Sequence, residues 1–375
     1  MSHMLNRLAE HCFLRQPLLA KQLNIHRRSE SIPHEQTTVL IKEQQVTFSP
    51  EECRFLGHAQ LVSQADYRNG YLQPSVRYAQ LYDVDFFGHS GCLVNSKTGN
   101  TIIESAYNLS RFQYSPIYCT PRLLRRSSKR GTYTSIMHLP WARANYYHWF
   151  IDCLPRLYFL QEKKEEPITL IMHECATSFQ RETIDLFLKK MPNITLITIR
   201  ADERWRLERF LLCTFASRNC SGYLPPALIG FVQDLLLRGY NISPKIQRTK
   251  RIFVSRRNAR HRQILNESKL YDFLRDRGFS IVHLEDMTCR EQVSMFANAE
   301  VVVGAHGAGL TNLLFAKDAT LVEIQPRDQV RTHYFLLAKA AGHRYIPFFG
   351  DHGDGSSHFA VDIPALCHTI DSVIS

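Results

Sequence analysis

What most constrains the fold of this chain is a run of alternation in its C-terminal third. Residues 251–255 (RIFVS), 279–284 (FSIVHL), 301–304 (VVVG) and 320–325 (TLVEIQ) are short and mostly apolar, and 344–349 reads as a further strand. Between them lie stretches with helical spacing: 264–277 stopping at Gly278, 288–299 opened by the capping box Thr288-x-x-Glu291, 310–316, and 334–341 closed by Gly342. Apolar strands alternating with helices predict a parallel sheet covered on both faces. Upstream the pattern is looser. Strands are expected at 133–139, 168–172 and 194–199, helices at 145–163, 179–191 and 226–238, and β-hairpins over 90–120 with a turn at Lys97-Thr98-Gly99-Asn100. The polar segment 239–250 (GYNISPKIQRTK) carries Gly and Pro and reads as a linker. It separates an N-terminal α/β domain, 1–240, whose first 130 residues read as β-rich, from a C-terminal domain, 245–375. Two α/β halves facing across a cleft are expected, the cleft being the usual place for a ligand.

The chain's 375 residues fit two domains of about 150 each, and 44% hydrophobic residues suffice for large cores. Disorder, collagen and low complexity are excluded. Ten cysteines (12, 53, 92, 119, 153, 175, 213, 220, 289, 367) are scattered without a CxxC pair, several in apolar contexts, which reads as reduced thiols rather than a disulfide scaffold or zinc cluster. The longest apolar stretch, 301–316, contains His306 and Asn312 and falls short of the ~20 residues of a membrane span. MSHM at the start resembles a cloning scar, and no signal-peptide core follows it. A cytoplasmic protein is expected, in contact with a membrane at most peripherally.

The formal charge of +11 is local. Residues 122–130 hold five basic residues and 248–262 hold seven, with no acid in either; without them the chain has 34 basic and 35 acidic residues. Two clusters suit a small polyanion such as a diphosphate at least as well as a duplex, which needs many phosphate contacts, and they also suit an anionic membrane surface.

Four motifs carry candidate chemistry. Gly304-Ala305-His306-Gly307-Ala308-Gly309-Leu310-Thr311-Asn312 lies between an apolar strand and a helix. Its glycines allow a tight turn and close approach of a ligand, and the helix start favours an anion. The order G-x-x-G-x-G differs from the dinucleotide G-x-G-x-x-G, so a Rossmann dehydrogenase is not indicated. Ser255-Arg256-Arg257-Asn258-Ala259-Arg260-His261-Arg262 follows a strand, where open α/β sheets bind ligands and where arginines can grip phosphate. In the segment 145–156, His148, Asp152 and Arg156 are spaced to share one helix face, with Pro155 expected to kink it. A His with a carboxylate one turn away can act as an oriented general base, or be a satisfied pair in a core helix. Glu323 ends an apolar strand, fit either to hold sugar hydroxyls or to be a surface residue. Asp83 with Asp85, and Asp351 with Asp354, resemble metal-binding acid pairs only at the level of coincidence in a chain with 35 acids.

In their order and separation, NYYHWFIDCLPRL, RIFVSRRNARHRQILNE and VVVGAHGAGLTNLLFA with LVEIQP resemble glycosyltransferase family 61 over roughly residues 130–350, while 1–130 carry no matching motif. The family includes bacterial capsule and exopolysaccharide proteins, plant xylosyltransferases and eukaryotic O-linked N-acetylglucosaminyltransferases. The resemblance implies a GT-B-like fold, two Rossmann-like domains with the donor on the C-terminal one, and inverting transfer from a nucleotide sugar without an essential metal or other cofactor. It implies a UDP-sugar donor, a glycan or lipid-linked glycan acceptor, and a bacterial, cytoplasmic place in surface polysaccharide synthesis. Ser255, Arg256, Arg257, Arg262, Glu267, Gly304, His306, Gly307, Ala308, Gly309, Asn312 and Glu323 become the donor-nucleotide candidates. His148, supported by Asp152, is the candidate base or acceptor-side residue, and His306 is the competing assignment. The alternatives are a nucleic-acid-binding protein using the basic clusters, although these lack interleaved aromatics, and a GT-B-like sugar-nucleotide epimerase or pyruvyltransferase.

Overall fold

The computed structural model describes residues 29–58, 70–88, 90–106, 126–137, 144–174, 176–201, 203–217, 222–243 and 248–374. The chain divides into two compact units, Met1–Lys42 with Pro74–Asn219, and Glu43–Gln73 with Cys220–Ser375. The 239–250 segment therefore lies inside the second unit, and the division falls near 219–220. The physical reason is helix Pro226–Gly239. Its buried Leu228, Val232, Leu235 and Leu236 pack toward helices of the second unit, and its Gln233 donates to the Leu314 carbonyl at 2.8 Å.

In the second unit, five strands form a wholly parallel sheet in the spatial order Phe279–Val282, Lys250–Val254, Ala299–Ala305, Thr320–Pro326, Arg344–Gly350. This is the sheet that the apolar strands predict. Phe253, Val301, Val303, Val322 and Ile324 pack on one face against Leu270, Leu274, Leu366 and Ile370, and Val302 and Leu321 are fully buried on the other. Winding reverses direction between Lys250–Val254 and Ala299–Ala305, the switch point at whose carboxyl end open α/β sheets bind ligands. The capping box at Thr288 forms as read: its hydroxyl accepts from the Glu291 N–H, and helix Cys289–Phe296 follows. Gly342, at φ 72°, closes helix His333–Ala341 in the left-handed region where glycine is favoured. Two helical stretches wind differently from expectation. Residues 264–277 hold a 3-10 turn, Glu267–Leu270, before a short α-helix, Tyr271–Asp276, and the stretch after the Gly-rich turn is 3-10 throughout, Ala308–Phe315. Helices Pro50–His58 and Ile363–Ile374 were not expected.

The first unit is built on a sheet of different strand directions. Its sheet is mixed. Arg126–Ser135 pairs in parallel with Arg204–Cys213 and with Ile168–His173, which pairs in parallel with Ile194–Ile199. On the other side Arg204–Cys213 meets the long Val76–Phe87 strand antiparallel, followed by the hairpin strand Leu93–Asn95. The expected turn at 97–100 closes this hairpin onto Thr101–Ile102, with Gly99 at φ 76°. Phe86, Leu207, Phe210, Trp205, Tyr133 and Ile171 form the core. The basic cluster at 122–130 is strand from Arg126 onward, and residues 122–125 lie outside the described ones. Among the described residues no helix is long and apolar enough to cross a membrane.

Candidate functional site

The candidate site of the second unit stands at the carboxyl ends of three neighbouring strands. Ser255 continues the Lys250–Val254 strand, its N–H bonding the Val282 carbonyl at 3.0 Å. Buried Glu267 anchors the loop that follows. It accepts from Ser255 Oγ at 2.5 Å, from Tyr271 Oη at 2.7 Å and from the Arg256 N–H at 3.3 Å. Glu267 thus faces inward and shapes the loop. Arg256 donates from Nη2 to the His261 carbonyl at 2.8 Å and from Nε to the Arg262 carbonyl at 3.3 Å. Its guanidinium lies against the Gly-rich turn, so close to Gly307 that a Cβ there would meet Nη1 at 1.9 Å. Arg262 has φ 60°, a left-handed backbone unusual outside glycine. Burial, then the charges of Arg256 and Arg331, push its guanidinium down to about 10. Arg257 is exposed, its N–H bonded to Ser255 Oγ.

The Gly-rich turn divides into packing and site residues. Gly304 and Gly309 make room for the core: added Cβ atoms would stand 3.1 Å from Val254 and 2.6 Å from Leu284. Asn312 is wholly buried, its Nδ2 donating to Gln292 Oε1 at 2.8 Å and to the Gly309 carbonyl at 3.0 Å. Ala308 opens the 3-10 helix. His306 is the chemical group of the turn. Its N–H bonds the Ile324 carbonyl at 3.0 Å, and its Nδ1 lies 2.5 Å from Glu323 Oε1. Glu323 is fully buried and also accepts from Tyr345 Oη at 2.7 Å, which removes the surface reading of this acid. Burial, followed by the charges of Arg262, Arg331 and Arg256, holds His306 well below the usual imidazole range, while burial lifts Glu323 to about 8. Both shifts favour the uncharged pair, a protonated Glu323 beside a neutral His306. Tyr334, on the next helix, donates to the Gly307 carbonyl at 2.6 Å.

The sequence reading passed over two residues that stand near this turn, Arg331 and His333, whose ring lies 5.5 Å from that of His306. The available signal was their place just after the TLVEIQP strand, the same rule that singled out Arg256.

In the first unit, Asn145 caps the segment at His148, accepting its N–H at 3.3 Å. Only Tyr146–His148 is α-helical; Trp149–Cys153 is a π-turn and Leu154–Glu162 is 3-10. Pro155 cannot donate the next helical hydrogen bond, and the winding changes there instead of kinking a single helix. π-Turns recur at functional sites. His148 Nδ1 meets Asp152 Oδ2 at 2.7 Å, and Asp152 Oδ1 accepts from Ser217 Oγ at 3.3 Å. The histidine side chain is 14% exposed and the carboxylate 2%. Nδ1 is thereby fixed and Nε2 remains as the nitrogen for other partners. Arg156 is also tied to the Arg204–Cys213 strand. It is buried, donates Nε and Nη2 to the Cys213 carbonyl at 2.9 and 2.6 Å, and stacks over Phe215.

Among the described residues no group of three or more His, Cys, Asp or Glu side chains could hold a metal ion. Asp85 pairs with Arg204 at 2.6 Å and Asp83 with Arg206.

A family model described as Glycosyltransferase 61 matches residues 146–322, a span that takes in His148, Asp152, Arg256, Arg262 and His306. An EGF domain-specific O-linked N-acetylglucosamine transferase of Pan troglodytes is 33% identical over 102 residues, covering 26% of this chain and 19% of the relative. The Drosophila melanogaster protein of that name is 28% identical over 153 residues, 34% and 28% of the two chains. A beta-1,2-xylosyltransferase of Arabidopsis thaliana is 32% identical over 97 residues, 22% and 18%. The matches thus span between about a fifth and just over a quarter of the relatives' lengths. Residues 146–322 are thus similar to the glycosyltransferase 61 family.

Proposed function

We propose that this protein is an inverting, metal-independent glycosyltransferase with a fold of the GT-B type. It moves a sugar from a nucleotide-sugar donor, a UDP-sugar, to a glycan or lipid-linked glycan acceptor in bacterial surface polysaccharide synthesis. The observation that carries this reading is the Arg256 guanidinium laid on Gly307 beside Arg262 and a neutral His306, at the switch point of a parallel sheet. Such a place offers fixed positive charge to a diphosphate leaving group, the charge that a metal-free transfer requires. His148, oriented by Asp152, is the base that takes the acceptor proton. The names of the relatives, a transferase of N-acetylglucosamine and one of xylose, support sugar transfer as the class of reaction.

The test has two parts. UDP should raise the melting temperature, since a ligand at a hundred times its Kd adds about 2.7 kcal/mol, and a labelled UDP-sugar should yield a labelled glycan. His148→Ala should lower turnover by about 10²–10⁴-fold and keep UDP affinity, while His306→Ala should lose donor affinity. Labelled products that are epimers of the donor, or no nucleotide binding at all, would remove this reading. Near-normal turnover in His148→Ala, with donor bound but not transferred in His306→Ala, would exchange the two roles.

A further inference from the structure

The loop after the Thr320–Pro326 strand carries Arg331, whose backbone is clamped by one fully buried side chain. Gln325 Oε1 accepts the Arg331 N–H at 2.7 Å, and Gln325 Nε2 donates to the Arg331 carbonyl at 3.0 Å. Two residues on, helix His333–Ala341 begins, and its Tyr334 bonds the Gly307 carbonyl at 2.6 Å. Arg331 is therefore tied through the backbone to the turn on which Arg256 lies. Its charge reaches both Arg262 and His306.

Arg331 stands exposed in this loop, its charge acting on Arg262, and among the described residues Arg256, Arg262 and Arg331 make no ion pair with a carboxylate. The nearby acids are committed elsewhere. Glu323 serves His306 and Tyr345, and Glu267 serves Ser255, Tyr271 and the Arg256 backbone. Like charges gathered without a counter-charge repel, so the cluster is complementary to a multiply charged anion. A nucleoside diphosphate carries one formal charge more than a monophosphate. In sugar transfer that charge appears as the bond from the anomeric carbon to the terminal phosphate oxygen breaks. The electron pair stays on the phosphate, the carbon bonds the acceptor oxygen, and the acceptor proton goes to the base.

We propose that Arg331 is the diphosphate-selecting arm of this site, meeting the terminal phosphate from which the sugar departs while Arg256 and Arg262 hold the rest. The inference rests on the nucleotide-sugar reading above. Calorimetry on the full chain with UDP and UMP tests it, with wild type, Arg331→Gln and Arg331→Lys compared. Arg331→Gln should weaken UDP by about tenfold to a hundredfold, the loss of a charge-assisted hydrogen bond, and UMP by less than about threefold on the same principle. Its melting temperature should match wild type, and kcat should fall more than the donor KM rises. Arg331→Lys should recover part of the UDP preference, and it decides alone if the Gln variant does not fold. If wild type prefers UDP and the substitutions leave the UDP-to-UMP ratio unchanged, the arm is elsewhere and the site reading stands. If wild type binds neither nucleotide, both fall.

Discussion

His306 and Glu323 hold one proton between them, and that sets a pH signature. Glu323 sits at about 8 against an ordinary 4.5, and His306 well below 6.5. Just below pH 6.5 the folded pair and its unfolded counterparts carry the same number of protons, so this pair leaves stability flat there. Above 6.5 the unfolded histidine has lost its proton while the folded pair keeps one until about 8, so stability falls as pH rises through that window, by up to about 1.4 kcal/mol per unit. Urea melts across pH should show this, and Glu323→Gln should instead gain stability up to 6.5 and then level off. A wild type unchanged from 6.5 to 8 would overturn the shared-proton assignment. Gly307 makes a second residue-scale case. Its extended φ of −175° suits any residue, so Gly307→Ala should fold. The new Cβ would displace the Arg256 guanidinium, 1.9 Å away, and UDP affinity should drop at unchanged melting temperature. Calorimetry with tight UDP binding by this variant would detach Arg256 from the nucleotide.

At the scale of elements, legibility followed apolar periodicity. Strand Ile194–Ile199 and helix Cys289–Phe296 read clearly because alternation and a capping box are local signals. Val76–Phe87 and Arg204–Cys213 did not, because charged residues interrupt their apolar pattern. Those charges answer each other across the two strands, Arg204 to Asp85 and Arg206 to Asp83, which a one-dimensional reading cannot see. The i, i+4 spacing of His148 and Asp152 found a real pair, yet it could not show the π-turn that sends Arg156 to the Cys213 carbonyl. Glu267 is a donor candidate by the resemblance alone; its three hydrogen bonds make it also the tie between the Ser255 loop and the Tyr271–Asp276 helix. Glu267→Ala should leave buried donors unpaired, at about 1–3 kcal/mol each, and lower UDP affinity through the freed loop, whereas Glu267→Gln should keep much of both. Denaturant melts and calorimetry on the two variants check this; an Ala variant as stable as wild type would show that the tie is dispensable.

At the scale of the whole molecule, the charge excess resolves into local pairs and one cluster. Arg248 faces Asp318 at 3.8 Å and Arg251 faces Glu300 at 3.5 Å, while the Arg256 guanidinium lies against the Gly-rich turn and its charge acts on Arg262. Residues 126–130 are strand in the other unit. This distribution favours a compact anion over a duplex and bears on metal dependence. A diphosphate leaving group needs about as much positive charge as a divalent cation supplies, and on the proposed reading the guanidinium groups at this turn provide it. The acid pair that resembles a cation site in sequence, Asp83 and Asp85, is engaged by Arg206 and Arg204 across the sheet. Sugar transfer should therefore survive EDTA, measured as labelled product from a UDP-sugar at matched ionic strength so that screening does not imitate chelation. Arg204→Gln and Arg206→Gln should not create a metal requirement, because the diphosphate charge is met in the other unit. Complete loss of transfer on chelation, restored by Mn²⁺ or Mg²⁺, would make the arginines insufficient and return Asp83 and Asp85 to candidacy as ligands.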